Sequence, residues 1–234
     1  YQYLAYTFDV SVLTVSQIFD DVIDSMFCRL VPVLVFWPER EQIRLTLPMP
    51  FRGLYKKCIS IIDCFEVLCE QPSDPKARAQ AYSHHKSHST VKYLLSVTPN
   101  GFIMFNSKGW GGRTSDQHLV DHSGYLDHLL PGDLVLADRD FDIAESVELK
   151  CAFIEIPTIP IGKKQLCAKD RQMAAVRIQM EKVVSKLRMK YSILKDIIPV
   201  SLLHSGSGGY TTLDKMVLVS CALCNASEGI LSVV

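Results

Sequence analysis

The segment Ile59-Ser60-Ile61-Ile62-Asp63-Cys64-Phe65-Glu66-Val67 constrains this chain more than any other. Its apolar, β-branched composition reads as a buried strand. A carboxylate sits in its middle. Burying an ionised carboxylate is costly unless it is paired or holds a metal. The fold must therefore bury this strand and also supply Asp63 with a partner.

The residues beyond this strand narrow the architecture. Residues 70–90 are polar and read as a loop. Strands at 91–98 and 102–106 flank the turn Pro99-Asn100-Gly101 and predict a hairpin. Gly111-Gly112 marks a further loop. A helix is predicted over 116–130, stopped by Pro131-Gly132, then a short buried strand over 133–137 and a short helix over 144–149. A strand over 152–156 precedes a long helix over 167–191, with Val176, Met180, Val183, Leu187 and Tyr191 on one face. An apolar helix over 213–223 ends the series. Strands and helices in this order suit an α/β protein, a ribonuclease H-like mixed sheet flanked by helices.

The N-terminal part is different. Ser11 is placed to cap a helix from Val12, with Val15, Ile18, Phe19, Val22, Ile23 and Met26 at helical spacing. Residues 31–50 carry Pro32, Pro38, Pro48 and Pro50 and read as a connector around a short helix near 39–45. The chain begins at Tyr1, which reads as a fragment edge or a processed end.

Hydrophobic residues make up 48% of the chain and charged residues 21%, which excludes a disordered protein. No apolar run approaches the ~18–20 residues of a membrane span. The formal net charge is zero, which on its face argues against a nucleic-acid partner. The charge is not evenly spread, however. Residues 76–113 hold six Lys/Arg and no acid, residues 114–161 hold ten acids against two Lys/Arg, and residues 162–195 hold ten Lys/Arg against two acids. Such blocks suit either solvated faces or a polyanion track beside an acidic pocket. The eight cysteines sit mostly among apolar neighbours. They read as reduced core residues of a nuclear or cytosolic protein.

Two further acids share the oddity of Asp63. Asp138 follows directly on the apolar run Leu134-Val135-Leu136-Ala137, at the carboxyl end of a buried strand. Sheets of this class build their sites there. Glu181 lies beside the apolar face of the long basic helix, as an ion-pair partner of Arg177 at i, i+4 or as a ligand. Together the three form a hard-oxygen set that suits Mg²⁺ or Mn²⁺ and not zinc. Two such ions about 4 Å apart suit displacement at a phosphodiester.

Several stretches carry a family resemblance. They are Ile61-Ile62-Asp63-Cys64; Tyr82-Ser83-His84-His85-Lys86 with Thr90-Val91-Lys92; Val97-Thr98-Pro99-Asn100-Gly101; Trp110-Gly111-Gly112-Arg113-Thr114-Ser115-Asp116; Pro131-Gly132-Asp133 with Ala137-Asp138-Arg139; Lys163-Lys164-Gln165-Leu166; and Arg177-Ile178-Gln179-Met180-Glu181-Lys182. In this order they resemble the DDE superfamily of endonucleases: Harbinger-type and THAP-linked transposases and the host proteins derived from them. The resemblance implies a ribonuclease H-like nuclease domain over 51–234, preceded over 1–50 by the remnant of a helix-turn-helix and a connector. It implies Asp63, Asp138 and Glu181 as catalytic and metal-binding residues, with Mg²⁺ or Mn²⁺ as cofactor. DNA phosphodiesters are the implied substrate, with water or a DNA 3′ hydroxyl as nucleophile. Lys86, Lys92, Arg113, Arg139, Lys163, Lys164, Arg177 and Lys182 are the implied DNA contacts. It also implies nuclear residence, alone or shared with the cytoplasm, and a homo-oligomer or a DNA-binding partner protein. The family pattern has Gly where Asp140 stands, His where Gln179 stands and Arg where Lys182 stands. These departures keep open a domesticated or decayed copy that holds DNA or a protein without cutting.

Most of the remaining motifs read as structural. His118 and His122 have helical spacing but lack the Glu of a zinc-protease motif. Cys221 and Cys224 form a lone CxxC with no second pair. His84, His85 and His88, in a loop with Lys86 and Lys92, read as a polar surface loop or as phosphate contacts near a cut site.

Overall fold

β1 (Cys58–Leu68) realises the central strand and extends it by one residue at each end. It lies in a computed structural model that describes residues 1–53, 55–137, 141, 143–155, 182–204 and 209–227. β1 pairs antiparallel with β3 (His88–Val97) and parallel with β6 (Leu134–Ala137), which pairs parallel with β7 (Phe153–Glu155). The other edge of β3 carries three short antiparallel partners: β2 (Tyr82–Ser83), β4 (Ile103–Asn106) and β5 (Trp110–Gly111). The sheet runs from these short strands through β3, β1 and β6 to β7. This is a ribonuclease H-like mixed sheet.

Strand alternation divides the core into two. Ile61, Phe65 and Val67 of β1 face one side, with Tyr93 and Leu95 of β3 and Leu134 and Leu136 of β6. Val183 and Leu187 of the helix at 182–190 close over that side, as do Leu213, Val217 and Cys221 of the C-terminal helix. Ile62, Leu94 and Val135 face the other side, against Leu119, Val120, Tyr125 and Ile143. Burying both faces explains why β1 reads as an almost continuous apolar run.

The helices are α1 (Gln2–Phe8), α2 (Val12–Leu34), α3 (Arg40–Leu45), α4 (Pro75–Ala81), α5 (Asp116–His122), α6 (Ala144–Glu148), α7 (residues 182–190) and α8 (Thr212–Ala226). Ser11 caps α2 as its sequence predicts, its hydroxyl accepting from the Thr14 amide. α2 packs on α8, tied by Lys215 Nζ to Asp24 at 2.6 Å and by Asn225 Nδ2 to the Leu34 carbonyl at 2.7 Å. Among the described residues no helix is long and apolar enough to cross a membrane.

The structure corrects three expectations. α2 continues through Pro32 to Leu34, so the connector starts later than residue 31. Residues 70–90 are not all loop, because Asp74 caps α4 and Pro75 opens it. The helix expected over 116–130 ends at His122. Gly124 turns left-handed (φ 83°) and a 3₁₀ turn, Tyr125–His128, succeeds it.

Candidate functional site

Asp63 stands on β1 opposite Leu95 of β3, and it is half-buried. Alternation puts it on the face of Ile61 and Phe65, the side covered by α7 and α8. Its neighbour Ile62 pairs with Ala137, the last residue of β6. Asp63 is thus level with the carboxyl end of β6, and Asp138 is the next residue in the sequence after that end. Asp138 itself lies outside the described residues, as does Glu181. α7 is described from Lys182, the residue after Glu181. It is held on β1 by buried Val183 and Leu187, and by Arg188 Nη2 donating to the Glu66 carbonyl at 2.8 Å.

Asp63 is a hard oxygen donor and fits Mg²⁺ or Mn²⁺ in kind. Among the described residues no group of three or more His, Cys, Asp or Glu is placed to hold an ion. The two other expected ligands lie outside those residues. Next to Asp63, burial pushes the Cys64 thiol well up, and Asp116 and Asp63 add to the rise against a smaller pull from Lys92. Cys64 therefore stays a neutral thiol, against Asp116 on the sheet face opposite Asp63.

The basic candidates occupy different settings. Lys92 faces the side of the sheet opposite Asp63. Its ammonium donates to the Thr114 carbonyl at 2.9 Å and to Asp116 Oδ1 at 3.0 Å. It thereby anchors the loop between β5 and α5. Lys86 is exposed in the turn between β2 and β3, where its amide donates to Ser83 Oγ. Arg113 and Lys182 are exposed. Arg139, Lys163, Lys164 and Arg177 lie outside the described residues, with Asp140 and Gln179.

His118 and His122 stack on each other with ring centroids 4.0 Å apart, and Trp110 meets His118 edge-on. Cys221 and Cys224 are buried free thiols, both raised by burial. His84, His85 and His88 are exposed.

Sequence reasoning missed a cleft of about 610 Å³ at the β5 edge of the sheet. α4 forms one wall, the segment Gly109–Thr114 the other, and Thr211 and Asp214 at the start of α8 close one end. The missed signal was Ser73-Asp74-Pro75, a capping residue followed by proline at the first helical position.

A family model described as DDE superfamily endonuclease matches residues 62–225. No curated protein and no solved structure matches the chain.

Proposed function

The chain belongs to the DDE superfamily of endonucleases, and from that premise we propose that it is a divalent-metal-dependent DNA endonuclease of the transposase type. The observation that carries the proposal is the setting of Asp63. It lies in the central strand, level with the end of β6 and on the face that α7 covers. The sequence places its two proposed partners directly beside those elements, Asp138 after Ala137 and Glu181 before Lys182.

In this reading Asp63, Asp138 and Glu181 hold the metal. When bound, the ions stabilise the charge that develops at the phosphodiester and make the nucleophile more acidic. The protein's own contribution is placement. β1 holds Asp63 in a rigid layer, and α7 is clamped to that layer through Arg188. Basic side chains, Arg113 and Lys86 among the described ones, bind backbone phosphates. The block over 1–50 acts as a helical support derived from a helix-turn-helix, the nuclease unit spans 51–234, and the protein works in the nucleus.

A second reading is a domesticated copy that binds DNA or a protein without cutting it. The specific observation behind it is α2, which carries Asp20, Asp21 and Asp24 where a DNA-reading helix carries basic groups. α2 packs instead on α8.

The test is plasmid nicking under Mg²⁺ and Mn²⁺ titration. The wild type should nick in proportion to metal and stop with chelator, while Asp63→Asn should fall to background with an unchanged melting curve. Equal nicking by Asp63→Asn refutes the site. No nicking by the wild type, with salt-dependent DNA binding retained, favours the second reading. The Asp140→Gly variant run alongside shows whether that departure sets the rate.

A further inference from the structure

The cleft at the β5 edge is built more rigidly than a surface groove requires. A Cβ at Gly111 would lie 2.5 Å from the Gln80 carbonyl oxygen, and one at Gly112 would lie 2.0 Å from Thr90 Oγ1 and 2.7 Å from the Ala81 carbonyl oxygen. Only glycines let this segment lie so close to α4. The Arg113 amide donates to the Gln80 carbonyl at 3.1 Å. Lys92 holds Thr114 from the far side, and Asp214 Oδ1 accepts from the Gly109 amide at 2.9 Å. The backbone from 109 to 114 is thus fixed along its whole length.

Its side chains are used differently. Trp110 lines the cleft, and the Arg113 side chain is exposed at it with no hydrogen bond or ion pair among the described residues. Asp214, the acid on the lining, is fully engaged: Oδ1 accepts from Tyr93 and Gly109, and Oδ2 from the Thr211 amide. Most of the lining comes from the acid-free segment 76–113, which contributes the Arg113 cation. The volume lies within the roughly 300–1,000 Å³ range of small-ligand sites. An aromatic ring beside an exposed guanidinium is the pairing that takes a base by stacking and its phosphate by charge.

We propose that this cleft is a strand subsite that takes one unpaired nucleotide of the DNA, with the base against Trp110 and the phosphate on Arg113. The proposal rests on the nuclease reading above and deepens it. Trp110 pairs with Lys92 and so lies on the sheet face opposite Asp63, whereas Val91 of the lining is on the face of Asp63 and pairs with Val67, four residues along β1 from it, so the cleft reaches both faces round the β5 edge. At ~3.3 Å per residue that is about 13 Å along the strand, and the two strand spacings from β5 to β1 add roughly 10 Å across the sheet. The subsite would hold a frayed or single-stranded end that passes round the β5 edge toward the face of Asp63.

The experiment measures binding of the whole chain in chelator by fluorescence anisotropy. The probes are a short duplex with a few unpaired nucleotides at one end and the blunt duplex of the same sequence. The wild type should bind the unpaired end about tenfold more tightly, the scale of one base stacked on an aromatic side chain. Trp110→Ala and Arg113→Gln should each erase most of that preference while both proteins melt as the wild type does. Equal binding of the two duplexes by the wild type overturns the proposal, and so does a variant that keeps the full preference. If Trp110→Ala fails to fold, Arg113→Gln at its exposed position decides alone. Thymidine monophosphate is the competitor arm. If it displaces the probe as readily as the unlabelled overhang strand does, the cleft is a free-nucleotide site and the strand subsite fails. Plasmid nicking reads the nuclease proposal separately. A chain that prefers the unpaired end but never nicks refutes the nuclease and keeps the subsite, and the reverse result does the opposite.

Discussion

Asp214 should be among the most stabilising polar residues of the chain, although it touches no reacting group in the proposed mechanism. It is 3% exposed at the start of α8 and accepts three hydrogen bonds. One of these closes a capping box with Thr211. Replacing it with alanine leaves Thr211 capping the helix but removes the reciprocal bond from the Thr211 amide, at about 0.5 kcal/mol. It also strands the fully buried Tyr93 hydroxyl and the part-buried Gly109 amide. A buried donor without an acceptor costs about 1–3 kcal/mol, and the Gly109 amide less because water reaches it. The total for Asp214→Ala is about 2–5 kcal/mol, readable as a fall in the urea midpoint. The sharper test is a double-mutant cycle with Tyr93→Phe. Alone, Tyr93→Phe should cost about 1 kcal/mol, the net worth of one hydrogen bond. In the Asp214→Ala background it should stabilise, because it removes the stranded hydroxyl. A loss below about 1 kcal/mol for Asp214→Ala, or further destabilisation of it by Tyr93→Phe, refutes this account.

Three other perturbations have definite expected outcomes. Gly112→Ala should cost at least about 1–3 kcal/mol in thermal unfolding through overpacking against Thr90 and Ala81, whereas Gly124→Ala, with open space around it, should lose only the ~1 kcal/mol of a left-handed backbone. Arg40→Ala should cost about 3 kcal/mol by leaving the buried carboxylate of Asp133, now 2.9 Å from the guanidinium, without its cation; chemical denaturation of Arg40→Ala beside an Arg40→Ala/Asp133→Asn double variant, which should recover part of the loss, checks it. Burial holds His128 below its ordinary 6.5, against an upward pull from Asp127 and with a smaller downward push from Arg40. The unfolded chain therefore takes the proton first, and stability should fall as pH drops below about 6.5. His128→Phe, which keeps a ring stacked on Trp37, should flatten that part of the stability–pH curve.

The central layer of the fold was legible because its signals are strong and local. β1, β3, β6 and β7 are apolar runs bounded by turn residues, and each lies close to its expected place, β3 starting a few residues early. The misses have particular causes. α4 buries only Ala81, so it has no apolar period to detect, and its capping signal was lost in a polar stretch. In 116–130 the apolar pattern of Leu119, Val120, Tyr125 and Leu129 runs straight through a break made by Gly124. Pro32 is tolerated near the end of α2 because α8 holds that end through Asn225 on the Leu34 carbonyl and the last turn still closes from the Val35 amide to the Val31 carbonyl. Asp63 was legible as a candidate because a carboxylate in a buried strand stands out. The cleft was not, because its walls lie about 30 residues apart in sequence and are brought together by the pairing of β3 with β5 and by the Arg113 amide on the Gln80 carbonyl.

The zero net charge takes on meaning once it is laid on this topology. The acid-free segment 76–113 forms α4 and the strands β2 to β5, which is one half of the sheet. The acid-rich segment after it forms α5, β6, α6 and β7, mostly on the other side of β1. β1, with Asp63, runs along the boundary. A cation site wants the acidic side and a phosphate backbone wants the basic side, so a strand on the boundary is where one group can serve both. Screening restricts each field to about 8–10 Å at physiological salt, so opposed halves of one sheet do not cancel at their own surfaces. On the proposed reading, DNA approaches over the β3–β5 edge and reaches Asp63 from that side. An approach over β7 would carry its phosphates across the acidic half first.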